Sequence, residues 1–223
     1  MPRVRAVVFD VDGVLTTIDS IWRFIHDHLG TWGKAKVYAE MYKRGEIDYA
    51  EWAQLDVSLW RGVPRETIEA IVAKVPIREG AREVIDFLRS RDVRTAAISA
   101  GLDVITDRVS RELGLDLAVS NRLVFRDSKV TGEVEVLVGY GDKGRVFIDI
   151  CRELGVRPEE TAAVGDSDVD VDMLQRAGFA VAFNPRSDTV VRVAHVVVRS
   201  DSLVPLLEIF RPLVEAQPVQ AGH

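Results

Sequence analysis

The chain is 223 residues long, 47% hydrophobic and 29% charged, with a formal net charge of −6 and a single cysteine, Cys151. That length fits one α/β domain carrying an insertion, or two small domains, and the apolar fraction is enough for a sizeable core. The acidic balance argues against a nucleic-acid partner, one cysteine allows no intrachain disulfide, no apolar run could span a bilayer, and the N-terminus reads straight into a strand with no signal-peptide pattern, so a cytoplasmic protein without membrane partners is predicted, with a homodimer left open.

The first predicted element is a buried strand, Val4 to Phe9. It delivers two carboxylates, Asp10 and Asp12, just past its end, and breaks at Gly13. In an open α/β sheet, chemistry sits outside the carboxyl ends of the strands. Two carboxylates there are costly unless a cation or a reaction uses them. Asp-x-Asp-Gly alone reads equally as an Asp-rich turn or a helix cap.

From Thr17 to Pro76 no strand is predicted. Trp22, Ile25 and Leu29 fall at helical spacing, as do Val37 and Met41, then Trp52, Leu55 and Leu59, then Ile68, Ile71 and Val75. Gly30, Gly45 and Gly62-Val63-Pro64 punctuate them. Four short amphipathic helices over residues 17–76 would form a small bundle hinged on the loop after Leu15. Trp22, Trp32, Trp52 and Trp60 are read as its core rather than as a ligand cage, and His26 and His28 as surface or bundle residues.

Beyond the insert, strand-like runs at Val93 to Ser99, Thr161 to Gly165, Phe179 to Phe183 and His195 to Val198 alternate with helical stretches. Those stretches are Ala81 to Arg91, Val104 to Leu113, Gly144 to Leu154 and Val169 to Ala177. Leu123 to Val138 reads as a β-hairpin at the sheet's edge, turning at Asp127-Ser128-Lys129. The predicted fold is α/β, a Rossmann-like doubly wound parallel sheet over residues 1–16 and 77–212. From Pro212 the apolar periodicity fades, and 213–223 is expected to be a flexible tail.

Three further features fall on loops at carboxyl ends of strands. Ser99-Ala100-Gly101 offers a hydroxyl and free N–H groups before a helix, suited to a phosphate or simply to capping. Lys143 opens a helix and is either a phosphate-neutralising charge or a solvated surface lysine. Val164 to Met173 places Asp166, Asp168, Asp170 and Asp172 at alternate positions after a strand. So much negative charge fits a hard cation such as Mg²⁺. A calcium loop is the competing reading; against it stand the absence of the helix–loop–helix glycine and distal glutamate, and the preceding strand.

Taken in order, Asp10-x-Asp12, Ser99, Lys143 and Gly165-Asp166-x-x-x-Asp170 resemble the four signatures of the haloacid dehalogenase superfamily of phosphohydrolases, over Arg3 to about Arg199. The helical insert between the first two signatures is similar to a C1-type cap. Gly45-Glu46-Ile47, Arg78-Glu79-Gly80-Ala81, Ile98-Ser99-Ala100-Gly101, Leu113-Gly114-Leu115-Asp116, Ser120-Asn121-Arg122-Leu123 and Thr131-Gly132 look like the phosphoserine phosphatases within it. The resemblance implies a Mg²⁺-dependent phosphomonoesterase acting on a small phosphorylated metabolite. Asp10 would be the nucleophile forming an aspartyl-phosphate, and Asp12 the general acid and base. Ser99, Ala100 and Lys143 would hold the phosphoryl oxygens. Asp10, Asp166 and the backbone carbonyl of Asp12 would hold the metal, with Asp170 steadying that shell through water or Lys143. A phosphotransferase or phosphomutase of the same fold, and a non-catalytic phosphate-binding regulator, are the alternatives.

Three positions depart from the resemblance. Val169 stands where the family usually has Asn, leaving Ser167 or Asp168 to replace its contact. Asp19 lies at the offset of the acidic cap residue that binds a substrate amino group, and reads equally as the cap of a helix starting near Ser20. Asp56 aligns with the arginine that grips the substrate carboxylate. There it would repel phosphoserine, and Asp56→Arg would improve phosphoserine turnover; otherwise Asp56 pairs with Arg61 or Arg23. Tyr49 is read as either cap core or a wall of the substrate site.

Overall fold

A computed structural model describes residues 3–215 of the chain. Its centre is a seven-stranded sheet in the order β4-β3-β2-β1-β5-β6-β7. The strands are β1 (Ala6–Phe9), β2 (Arg94–Leu102), β3 (Leu117–Arg126), β4 (Lys129–Glu135), β5 (Thr161–Gly165), β6 (Phe179–Phe183) and β7 (Val196–Val198). All neighbours run parallel except the β3–β4 hairpin. The α/β doubly wound fold is therefore as the sequence predicts. Because β1 pairs β2 on one side and β5 on the other, the winding reverses at β1, which opens a crevice beyond its carboxyl end.

Strand geometry sends alternate side chains to opposite faces. Val7 and Phe9 of β1 enter one hydrophobic cluster, with Val84, Ile105 and Phe210 from α5 (Ala81–Arg89), α6 (Asp103–Leu113) and α10 (Leu206–Val214). Ala6 and Val8 enter the other, with Phe147, Met173 and Val190 from α7 (Lys143–Glu153), α8 (Val171–Arg176) and α9 (Asp188–Val193). Both faces of the sheet are covered, as a parallel sheet requires.

The segment between β1 and β2 is helical: α1 (Ile21–Leu29), α2 (Trp32–Lys43), α3 (Tyr49–Ser58) and α4 (Arg65–Val72). Ile25, Ala53, Val57, Trp60 and Ile68 form its interior, which is continuous with the first cluster. The insert is attached at two places. At its base Thr16 bridges Ile77, and the Arg78 N–H donates to the Leu15 carbonyl (2.8 Å). At its far end Gly62 to Arg65 runs beside β4: Gly62 donates to Val130, Val130 to Val63, and Arg65 to Ser128, at 2.8 to 2.9 Å.

Several predicted boundaries move. The strand expected to stop at Ser99 continues with a register shift to Leu102, so Ser99 is no helix cap. The strand β3 starts at Leu117, pairs parallel with β2, and only then enters the hairpin. Its turn residues Asp127 and Ser128 both have positive φ (49° and 57°), the mirror-image turn that two-residue hairpins favour. The helix α10 carries the chain through Pro212 to Val214, which is buried, so order extends past the expected start of the tail; residues 216–223 lie outside the described residues.

Candidate active site

The β1 strand ends at Phe9, and Asp10 keeps an extended backbone whose N–H donates to the Val164 carbonyl (2.9 Å). The chain then turns back on itself through Val11–Leu15. Gly13 sits at φ 83°, and a Cβ there would collide with the Asp166 carboxylate; only glycine lets the two loops approach so closely. The Arg78 guanidinium donates to the carbonyls of Gly13, Val14 and Thr16 (2.8 to 3.2 Å), holding the turn's shape.

Lys143 lies at the centre of the acids. It is 1% exposed, and its Nζ donates to Asp10 Oδ1 and Asp170 Oδ1 at 2.6 Å each. Burial alone would lower its pKa, but the charges of Asp10 and Asp170 outweigh that and raise it, so it stays ammonium. Burial lifts the Asp10 carboxyl well above the usual range; the Asp170 charge adds to this and Lys143 opposes it. Asp170 is fully engaged, because its other oxygen accepts the N–H groups of Asp166 and Ser167 (2.9 and 3.0 Å) and the Ser167 hydroxyl (3.2 Å). The Asp10, Asp166 and Asp170 oxygens all lie within 4.8 Å of one another. Burial pushes Asp166 up to about 7, helped by the Asp170 charge, and its Oδ1 is buried without a partner. An all-oxygen donor set with an orphaned carboxylate oxygen fits a hard divalent cation.

Asp12 stands beside this cluster. Its Oδ2 accepts the N–H of Ile21 (2.7 Å) at the start of α1, while Oδ1 is buried and unpartnered. Burial pushes its pKa up to about 6 against the opposing Ile21 N–H. Ser99 is buried, its Oγ accepting from the Gly101 N–H (2.9 Å). The Ala100 carbonyl accepts from Trp22 Nε1 (3.0 Å), the Tyr49 hydroxyl (2.6 Å) and Asn121 Nδ2 (3.0 Å), so its carbonyl is tied to the insert and to β3.

Beside the acid cluster a cleft of about 280 Å³ opens between the sheet's carboxyl edge and the insert, with Asp166 and Asp170 behind its lining. Its walls bring together Asp10, Asp12, Ser99, Ala100 and Lys143, with Asp19 and Tyr49. Asp19 is not the cap of α1; Ser20 caps it by accepting from Arg23 N, leaving Asp19 87% exposed at the cleft's rim. Val169 and Ser167 also line the cleft, whereas Asp168 turns aside to the Ser187 hydroxyl.

Asp56 is where the structure corrects the sequence reading. It is 1% exposed, lies outside the cleft lining, and faces His26 Nε2 at 3.2 Å rather than Arg61 or Arg23. His26 itself is buried, its Nδ1 meeting the Thr31 hydroxyl (2.7 Å) and Trp60 Nε1 (3.1 Å). The pair belongs to the insert's polar core. The tryptophans divide as well: Trp60 and Trp22 belong to the core, and Trp22 and Trp52 also form part of the cleft wall.

Arg186, after β6, escaped the sequence reading. Its Nε lies 3.0 Å from Asp166 Oδ2 and a terminal nitrogen 3.8 Å from Asp19. Position alone could have found it, since it follows a core strand at the same sheet edge as the acids.

Comparison with known proteins identifies the family. The family model for haloacid dehalogenase-like hydrolases matches residues 4–178. A phosphoserine phosphatase of Archaeoglobus fulgidus is 32% identical over 208 residues, 93% of this chain but 60% of the relative, so the chain spans under two thirds of that protein. One from Methanocaldococcus jannaschii is 32% identical over 183 residues, 80% of this chain and 85% of the relative. Among solved structures, a phospho-aspartyl intermediate analogue of phosphoserine phosphatase superposes with TM-score 0.79 at 28% identity, covering 93% of this chain and 99% of the other. The matched family model spans Asp10, Asp12, Lys143, Asp166 and Asp170, and the chain belongs to the haloacid dehalogenase-like hydrolases, phosphoserine phosphatase-like in sequence and fold.

Proposed function

We propose that the chain is a Mg²⁺-dependent phosphomonoesterase that passes a phosphoryl group through Asp10. The observation that carries this is the Lys143 ammonium bridging Asp10 and Asp170 at 2.6 Å, beside Asp166 and in a cleft that also presents Asp12 and Ser99. A carboxylate attacking a phosphate ester meets an anion with an anion, and so needs cations close by. Lys143 is one. Asp10 and Asp166 are the residues that would hold Mg²⁺, with the Asp12 backbone carbonyl completing the protein's share; when bound, the ion supplies charge neutralisation at the phosphoryl oxygens.

In the first step Asp10 forms a bond to phosphorus as the ester bond breaks, and Asp12 gives its proton to the leaving alkoxide. In the second, water attacks phosphorus, Asp12 takes the proton, and the bond to Asp10 breaks, freeing phosphate. A carboxyl near 6 suits both halves, since it can donate and accept close to neutrality. Ser99, the Ala100 N–H and Lys143 would hold the phosphoryl oxygens in both steps. Asp170 would act through Lys143, as a positioning residue.

The test is phosphate release from p-nitrophenyl phosphate with Mg²⁺ and no added acceptor, followed by acid quench and mass spectrometry for a phosphoryl group on the Asp10 peptide. Asp10→Asn is expected to abolish the labelled peptide and reduce turnover by several orders of magnitude. Turnover within tenfold of the parent would remove Asp10 from the role. Labelling without phosphate release would instead favour a phosphotransferase.

A further inference from the structure

We infer, resting on the phosphatase reading above, that the leaving-group half of the cleft selects phosphomonoesters of cationic alcohols, with an ammonium or quaternary ammonium head, rather than esters carrying a carboxylate. A carboxylate in that half would need a free cation. Among the described residues only Lys143 and Arg186 bring a full positive charge to the lining, and both are engaged: Lys143 by Asp10 and Asp170, Arg186 by Asp166, with Asp19 3.8 Å away. The one charged residue of the insert on the lining is Asp19, an acid. Position 56 offers no help, because Asp56 is turned into the insert's core against His26.

The remaining wall has the chemistry that welcomes an organic cation. Trp22, Tyr49 and Trp52 line it, with Trp22 and Trp52 centroids 6.2 Å apart and Tyr49 nearly perpendicular to Trp52 at 5.5 Å. Aromatic rings attract ammonium heads through their electron-rich faces, and an acid at the rim adds to the attraction. The charge balance points the same way. With Asp12 holding the proton it donates, Asp10, Asp19, Asp166 and Asp170 face two cations, so a divalent ion only balances the acids and a phosphate dianion leaves the site short of positive charge. A cationic leaving group reduces that deficit, and a carboxylate deepens it.

The experiment compares kcat/KM for phosphocholine, for its neutral isostere 3,3-dimethylbutyl phosphate, and for phosphoserine, with p-nitrophenyl phosphate as a general reporter. The cation-to-isostere ratio is expected to be about ten or more, the reach of one ring-and-carboxylate site. In Asp19→Asn and in Trp52→Leu that ratio is expected to fall at least threefold. A parent ratio below three, phosphoserine turned over faster than phosphocholine, or a ratio unmoved in both variants overturns the inference; the phosphoserine outcome would make Arg186 the carboxylate reader. Failure on every ester, p-nitrophenyl phosphate included, refutes the phosphatase reading instead.

Discussion

Replacing Asp56 by arginine separates the alignment from the structure. If Asp56 stood in the cleft, Asp56→Arg would supply a carboxylate clamp and improve phosphoserine turnover. It stands instead in the insert's interior, 3.2 Å from His26 Nε2 and 1% exposed. Arginine there replaces an acid with a larger cation facing an imidazole. Overpacking costs about 1–3 kcal/mol, and a buried charge stripped of its partner about 3–5 kcal/mol. For a protein of this size each kcal/mol lowers Tm by about 2–4 °C, so a fall of about 10 °C or more is expected. The shape-conserving Asp56→Asn loses only the charged partner of His26, about 1–3 kcal/mol, and should fall by less. The assay is thermal unfolding of the three proteins, with phosphoserine kcat/KM measured well below the lowest transition. An arginine variant as stable as the parent and faster on phosphoserine would refute the placement of Asp56.

The acid cluster sets the pH response of the metal-free protein. Asp10, Asp12 (about 6) and Asp166 (about 7) sit above their ordinary value of 3.8, so the folded chain binds protons more tightly than the unfolded one and loses stability as pH rises from about 4 towards 7. Tm in EDTA is therefore expected to rise on going from pH 8 to pH 5.5, and Mg²⁺ to raise it most at the alkaline end; a flat profile with no response to Mg²⁺ would defeat the cluster's role. Gly13→Ala forces a side chain into a left-handed backbone and against Asp166. It should cost about 1–2 kcal/mol, read as a Tm drop of a few degrees, and lower kcat/KM more than tenfold; parental activity would show that the two loops need not meet.

The sheet was legible because β1, β5 and β6 are short apolar runs bounded by acids or glycine, and periodicity reads such runs directly. The start of β3 was not: Asn121 and Arg122 interrupt its apolar pattern, and only the tertiary structure satisfies Asn121, whose amide donates to the Ala100 and Val138 carbonyls and accepts from Leu137 and Val138. The order of Asp10, Asp12, Lys143, Asp166 and Asp170 was readable because each follows a strand or opens a helix at one sheet edge; Ser99 lies inside β2, near its carboxyl end. Direction within the insert was not. Helical spacing places Trp22, Trp52 and Asp56 on helices, but which neighbour each side chain meets depends on how four helices pack, and that packing sent Asp56 inward and Trp52 to the cleft. Arg186 was missed for a related reason: a single cation after a strand has no pattern of its own, and its place at the sheet edge was the one signal it gave.

The pairing of Gly62 to Arg65 along β4 has a bearing on self-association through the sheet's edge. An outermost strand exposes unsatisfied N–H and C=O groups to any other extended chain. Here the backbone N–H and C=O of Val130 and the carbonyl of Ser128 are occupied by the insert, and the opposite border, β7, is three residues long. The helical insert thus doubles as a guard for the sheet's longer border, and trimming it to widen the cleft would uncover a template for intermolecular pairing.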